Sequence, residues 1–123
     1  MILTVVLIAL AGGLGACCRL ALDGFIRTRI VSTYPVGTTV INVTGSLLLG
    51  LVLGLSAAQL LPEQWHLILG TGFLGGYTTF STASYETVRL LQARRFGSAL
   101  ANGIGMLVLS VAAAAGGMWF GSL

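Results

Sequence analysis

The chain has 123 residues, 56% of them hydrophobic and only 7% charged, with a mean hydropathy of +1.00. A soluble domain carries about 25% charged residues, so this chain cannot coat a water-facing globule, which excludes a soluble enzyme and a nucleic-acid binder. Six arginines, no lysine and three acids give a net charge of +3.

Four apolar stretches follow one another, at about 2–26, 36–58, 65–91 and 97–120. A bilayer core ~30 Å thick needs ~20 residues at 1.5 Å each. The sequence therefore predicts a single all-α domain over 1–123 with four transmembrane helices and no soluble module between them. Backbone groups in lipid must be satisfied internally, and the aliphatic runs lack the alternation of a membrane barrel. The first stretch has no basic n-region, because its first arginine is Arg19. It is expected to remain as a span and not to be cleaved as a signal peptide. Asp23 and Arg27 can pair at i, i+4 near its end, whereas Arg19 lies deeper and needs an intraprotein partner or a snorkelling route. The adjacent Cys17 and Cys18 point in different directions on a helix and read as reduced packing residues.

The second stretch carries Thr38, Asn42 and Ser46 on one helix face, with Thr39 beside it. The hydroxyls suit interhelical hydrogen bonds. For the Asn42 amide, a bonded partner and a place on a pore wall are both open. The connection at 59–64 has no arginine, and Pro62 with Glu63 fits the first turn of the next helix. His66, beside Trp65, reads as a solvated interfacial residue and not as a metal ligand. Further along the third stretch, Gly75-Gly76-Tyr77-Thr78-Thr79 is a poor continuous helix. A break there frees carbonyls at membrane depth, which protein, water or an ion must satisfy. The hydroxyls of Thr78, Thr79, Ser81, Thr82 and Ser84 crowd the same place, and Glu86 continues their face, with Arg89 available at i, i+3.

The fourth stretch opens on Gly97-x4-Asn102-x2-Gly105, an echo of Gly37-x4-Asn42-x2-Gly45 to which the sequence alone gives no functional weight. An even number of spans puts both termini on one side and Arg27, Arg29, Arg94 and Arg95 on the other, predicted to be cytoplasmic. Trp65 and Trp119 then fall near the terminal side as interfacial anchors.

Three strings, Gly12-Gly13-Leu14-Gly15-Ala16-x2-Arg19, Gly37-Thr38-x3-Asn42-x2-Gly45-Ser46 and Gly72-Phe73-Leu74-Gly75-Gly76-Tyr77-Thr78-Thr79-Phe80-Ser81-Thr82, closely resemble the fluoride channel family known as Fluc or CrcB. The resemblance covers essentially the whole chain. It implies a multi-pass protein of the bacterial inner membrane, with antiparallel four-helix subunits inserted in both orientations. It also implies two fluoride pores per dimer and a structural sodium ion at the dimer centre. Carried over by motif position, the sodium carbonyls belong to Gly75 and Thr78. The pathway residues are Asn42, Phe80, Ser81 and Thr82, with Ser110 on the fourth stretch, and Arg19 is the buried structural arginine. The residue reading adds Thr39 and Glu86 to the pathway.

The physics is compatible with that resemblance. Fluoride is small and strongly hydrated, so a pore must replace its water with donors, which hydroxyls, an amide and the positive edge of an aromatic ring supply. A buried cation at the narrowest point would trap the ion. Two features depart from the family. Ala83 stands where a second phenylalanine is usual, and the arginine asymmetry favours one orientation. The partner is then a second copy or an oppositely oriented homologue. The rival readings are a small proton-coupled multidrug exporter, which needs an intramembrane carboxylate that the first stretch lacks, and a non-transporting membrane assembly subunit.

Overall fold

The computed structural model describes residues 1–31 and 34–123; Ser32 and Thr33, in the first connection, lie outside them. The described residues form helices and their connections, with no strand among them. Helix α1 is Ile2–Arg29 and α2 is Val36–Ala57. A helical run over 63–77, here α3, joins Glu63–His66, a wider π-helical segment Leu67–Leu74 and Gly75–Tyr77. Helix α4 is Ser81–Gln92 and α5 is Phe96–Gly121, the latter π-helical over Ala101–Gly105. By length and composition, α1, α2 and α5 can each cross a membrane.

The helix ends follow local chemistry. Pro62 stands at the N-cap of α3, one position before the first-turn place expected for it, with Glu63 in the first turn. Helix α2 ends with Gln59 in the left-handed region (φ 61°) and Leu60 N–H bonded back to the Leu55 carbonyl at 3.0 Å. Helix α4 ends the same way, with Arg94 at φ 59° and Arg95 N–H on the Leu90 carbonyl at 2.9 Å. Both closures satisfy terminal carbonyls, but with a side chain where glycine is the usual occupant.

Two glycine seams hold the bundle. Along α2 and α5, a Cβ at Gly50 would strike the Ala114 carbonyl, and one at Gly117 would strike the Leu47 carbonyl. Along α1 and α3, a Cβ at Gly15 would meet the Phe73 carbonyl and one at Gly76 the Gly12 carbonyl. In lipid there is little hydrophobic gain from pairing helices, so backbone approach and dispersion contact carry the association. Between the seams lies a small core of Ile41, Leu74 and Tyr77, where the Tyr77 ring stacks on Phe73 at 6.2 Å. The Tyr77 hydroxyl meets Thr44 Oγ1 at 3.0 Å, so the last residue of α3 is tied to α2 by both its ring and its polar tip.

Candidate functional site: the gap between α3 and α4

Helix α3 stops at Tyr77; Thr78 is extended (φ −82°, ψ 159°) and helical structure resumes at Ser81. Low helix propensity at Gly75, Gly76, Thr78 and Thr79 makes the interruption cheap, and Asn42 supplies a better partner than the helix does. Its Nδ2 donates to the Thr79 carbonyl at 2.8 Å, and its Oδ1 accepts the Thr79 N–H at 2.8 Å. One side-chain amide thus pairs with both polar groups of one residue. Gly45, one turn further along α2, leaves the space that the Thr78 methyl and the Tyr77 ring fill.

Two helical hydrogen bonds are diverted here. In an unbroken helix the Thr79 N–H would return to the Gly75 carbonyl and the Thr82 N–H to the Thr78 carbonyl. Instead the first goes to Asn42, and the second goes to Thr79 Oγ1 at 3.2 Å. Gly75 and Thr78, whose carbonyls the family resemblance assigns to sodium, are therefore among the residues at the gap whose carbonyls lose their helical donors. Hard cations take oxygen ligands of this kind, so this backbone fits such an ion. No cluster of three or more His, Cys, Asp or Glu residues occurs among the described residues to compete for it.

Beside the gap, a cavity of about 630 Å³ opens between α2, α4 and α5, walled in part by Asn42, Ser46, Thr79, Phe80, Asn102 and Ser110. No charged side chain among the described residues lines it. The second Asn42 proton faces Met106 Sδ at 3.2 Å, a weak acceptor. Ser110 Oγ is buried with no hydrogen-bond partner among the described residues. Phe80 is 86% exposed, so its own chain leaves the ring uncovered. Ser81 is exposed and Thr82 half-buried on the first turn of α4; neither lines the cavity, although Thr82 Oγ1 accepts from Thr79 Oγ1 at 3.1 Å.

The other sequence candidates lie elsewhere. Thr39 Oγ1 meets the Tyr34 hydroxyl at 3.1 Å, near the start of α2. Glu86 lines a separate cavity of about 490 Å³ that also receives Asp23, Arg27, Arg89 and Arg95. Its expected partner was Arg89, but Arg27 approaches it at 3.8 Å, while Arg89 donates to the Tyr85 hydroxyl at 3.1 Å. The reason is geometric: α1 brings Arg27, already bonded to Asp23 at 3.1 Å, alongside Glu86 Oε2. Arg19 is half-buried, with its Nε enclosed and without a partner among the described residues. His66 is also half-buried, against Ser56 Oγ at 3.1 Å, and not simply solvated.

Sequence reasoning gave no role to Asn102, which is 1% exposed and donates to Ala83 O at 3.1 Å and to Thr87 Oγ1 at 2.8 Å. The signal was there: its spacing from the flanking glycines repeats that of Asn42.

Comparison with known proteins is consistent across the chain. Residues 6–118 match the family described as CrcB-like protein, Camphor Resistance (CrcB). A protein of Leifsonia xyli subsp. xyli named fluoride-specific ion channel FluC 1 is 57% identical over 98% of this chain and 88% of its own length. One from Cutibacterium acnes named fluoride-specific ion channel FluC 2 is 46% identical over 98% of both. Another of that name from Mycobacterium bovis is 43% identical over 94% of this chain and 89% of its own. With its long apolar helices, the chain is a multi-pass membrane protein. It belongs to the CrcB-like family.

Proposed function

We propose that this protein is a fluoride-selective channel, not an enzyme, that lets fluoride leave a bacterial cell passively across the inner membrane. In this reading α3 and α4 together form a third span broken midway, and with α1, α2 and α5 they give four spans. The observation that carries the proposal is the uncharged cavity at the gap, which holds a buried Ser110 hydroxyl with no partner among the described residues and an Asn42 proton facing a thioether. Both groups donate, and neither carries the charge that would hold a halide fast. The names of the relatives point to the same ion.

An antiparallel second copy completes the assembly, and the uncovered Phe80 ring is available to a pathway built from both subunits. Its electropositive edge suits an anion. A sodium ion on the Gly75 and Thr78 carbonyls would supply fixed positive charge that satisfies backbone groups at membrane depth. Thr79, Ser81 and Thr82 hold hydroxyls at the mouth of the gap, and Glu86 with Arg27 marks the far vestibule. Arg19 is a structural residue of α1. An exporter would use a titratable carboxylate within the pathway, and no acid lines the cavity at the gap.

Liposomes loaded with fluoride or chloride test the reading directly. The protein, as wild type or as Ala83→Phe, releases fluoride and retains chloride without a proton gradient. Equal release of both ions, no release from either protein, or release coupled to protons overturns it. Preparing the channel with sodium replaced by a bulky organic cation abolishes the flux.

A further inference from the structure

We infer that Asn102 is a positioning residue for the pathway: it clamps α4 to α5 through Ala83 and Thr87, and so sets where Phe80, Ser81 and Thr82 stand. The inference rests on the channel reading above. Asn102 is 1% exposed, and Nδ2 reaches the Ala83 carbonyl at 3.1 Å and Thr87 Oγ1 at 2.8 Å. Thr87 Oγ1 itself donates to the Ala83 carbonyl at 2.8 Å, so three groups close one network on one turn of α4. Asn102 Oδ1 is buried with no partner among the described residues. A side chain chosen for stability alone would not leave that oxygen bare, because an apolar residue of similar size avoids the cost.

Place in the fold explains the arrangement. Asn42, on α2, grips the chain at Thr79; Asn102, on α5, grips it at Ala83 and Thr87, one and two turns further on. Both asparagines wall the same cavity. The residues between the two grips are Phe80, Ser81 and Thr82. A helix fixed at one end only can still rotate about its axis; a second grip removes that freedom. The π-helical turn Ala101–Gly105 widens α5 around Asn102, and Gly103 leaves α5 open beside the Thr87 methyl, which lies 3.5 Å from where a Cβ would be. The glycine–asparagine pattern that occurs twice in the sequence thus has one mechanical meaning: each copy supplies one amide that holds the interrupted third segment.

The test is fluoride efflux per folded protein in liposomes, run in whichever parent conducts, wild type or A83F. Asn102→Ala lowers fluoride efflux by about tenfold or more and lowers selectivity over chloride, as loosening a pathway wall by a fraction of an ångström should. Thr87→Val, nearly isosteric, gives a loss of the same sign, and Thr87→Ser restores the parent rate. The double variant N102A/T87V is no worse than N102A alone, because both changes break one network. Thr87→Val keeps the test open if N102A fails to fold. Variants that conduct and select like a conducting parent overturn the positioning role alone. So does a loss that vanishes once efflux is scaled to folded protein. A parent that passes no fluoride in either form overturns the channel reading, and this role with it.

Discussion

The seam between α2 and α5 and the gap between α3 and α4 use opposite means to bring chain segments together. At the seam, Gly50 and Gly117 remove side chains until backbone meets backbone. At the gap, Asn42 adds a polar side chain that takes over hydrogen bonds the backbone would otherwise make for itself, and Asn102 adds one that holds the Ala83 carbonyl a turn further on. The first kind of contact depends on closeness alone. The second is directional, and it leaves carbonyls and hydroxyls facing a cavity. The lesson is that this fold keeps its stability and its chemistry in separate places, so a substitution should damage one before the other.

Substitutions can break that separation in a graded way. The largest effect is expected from Gly117→Leu, whose Cβ runs into the Leu47 carbonyl and the Leu51 amide. The loss is about 3 kcal/mol or more, seen as failure to recover monodisperse protein in detergent. Next comes Asn42→Ala, which leaves the Thr79 N–H and carbonyl without their partner. It costs about 2–4 kcal/mol and abolishes fluoride efflux even in the fraction that still folds, measured as flux per folded protein. Thr79→Val removes the hydroxyl that accepts the Thr82 N–H and donates to Thr82 Oγ1, and leaves the Asn42 pairing in place. It costs about 1 kcal/mol, read as a lowered midpoint in thermal unfolding, with partial loss of flux. The smallest effect has the opposite sign. Arg94→Gly relieves a left-handed backbone at φ 59°, a gain of ~1 kcal/mol partly offset by added freedom in the unfolded chain. A rise in thermal midpoint with unchanged flux is the expected outcome, and it would place the α4–α5 turn outside both regions.

Much of this was legible in the residues. The apolar runs announce helices, because only internal hydrogen bonding serves a chain in lipid. The Gly75-Gly76 and Thr78-Thr79 pairs announce where α3 gives out. What could not be read was where the freed polar groups go. Nothing in the spacing of Asn42 says that its amide will meet the backbone of Thr79, 37 positions away. Periodicity likewise offers Arg89 to Glu86, and only the crossing of α1 brings Arg27 there instead. Glycines that serve close approach look the same in sequence as glycines that weaken a helix, and Gly76 does both. Local pattern sets the helices; partners chosen across the bundle set the chemistry.

The grip of Asn42 on Thr79 also settles which way its amide points. Turning the group over would set its oxygen against the Thr79 carbonyl and its protons against the Thr79 amide, replacing two attractions with two repulsions. The side chain is therefore locked like a key in its wards, and the remaining proton is aimed in one direction. The cavity beside Met106 thus receives a donor whose heading was decided by the peptide behind it.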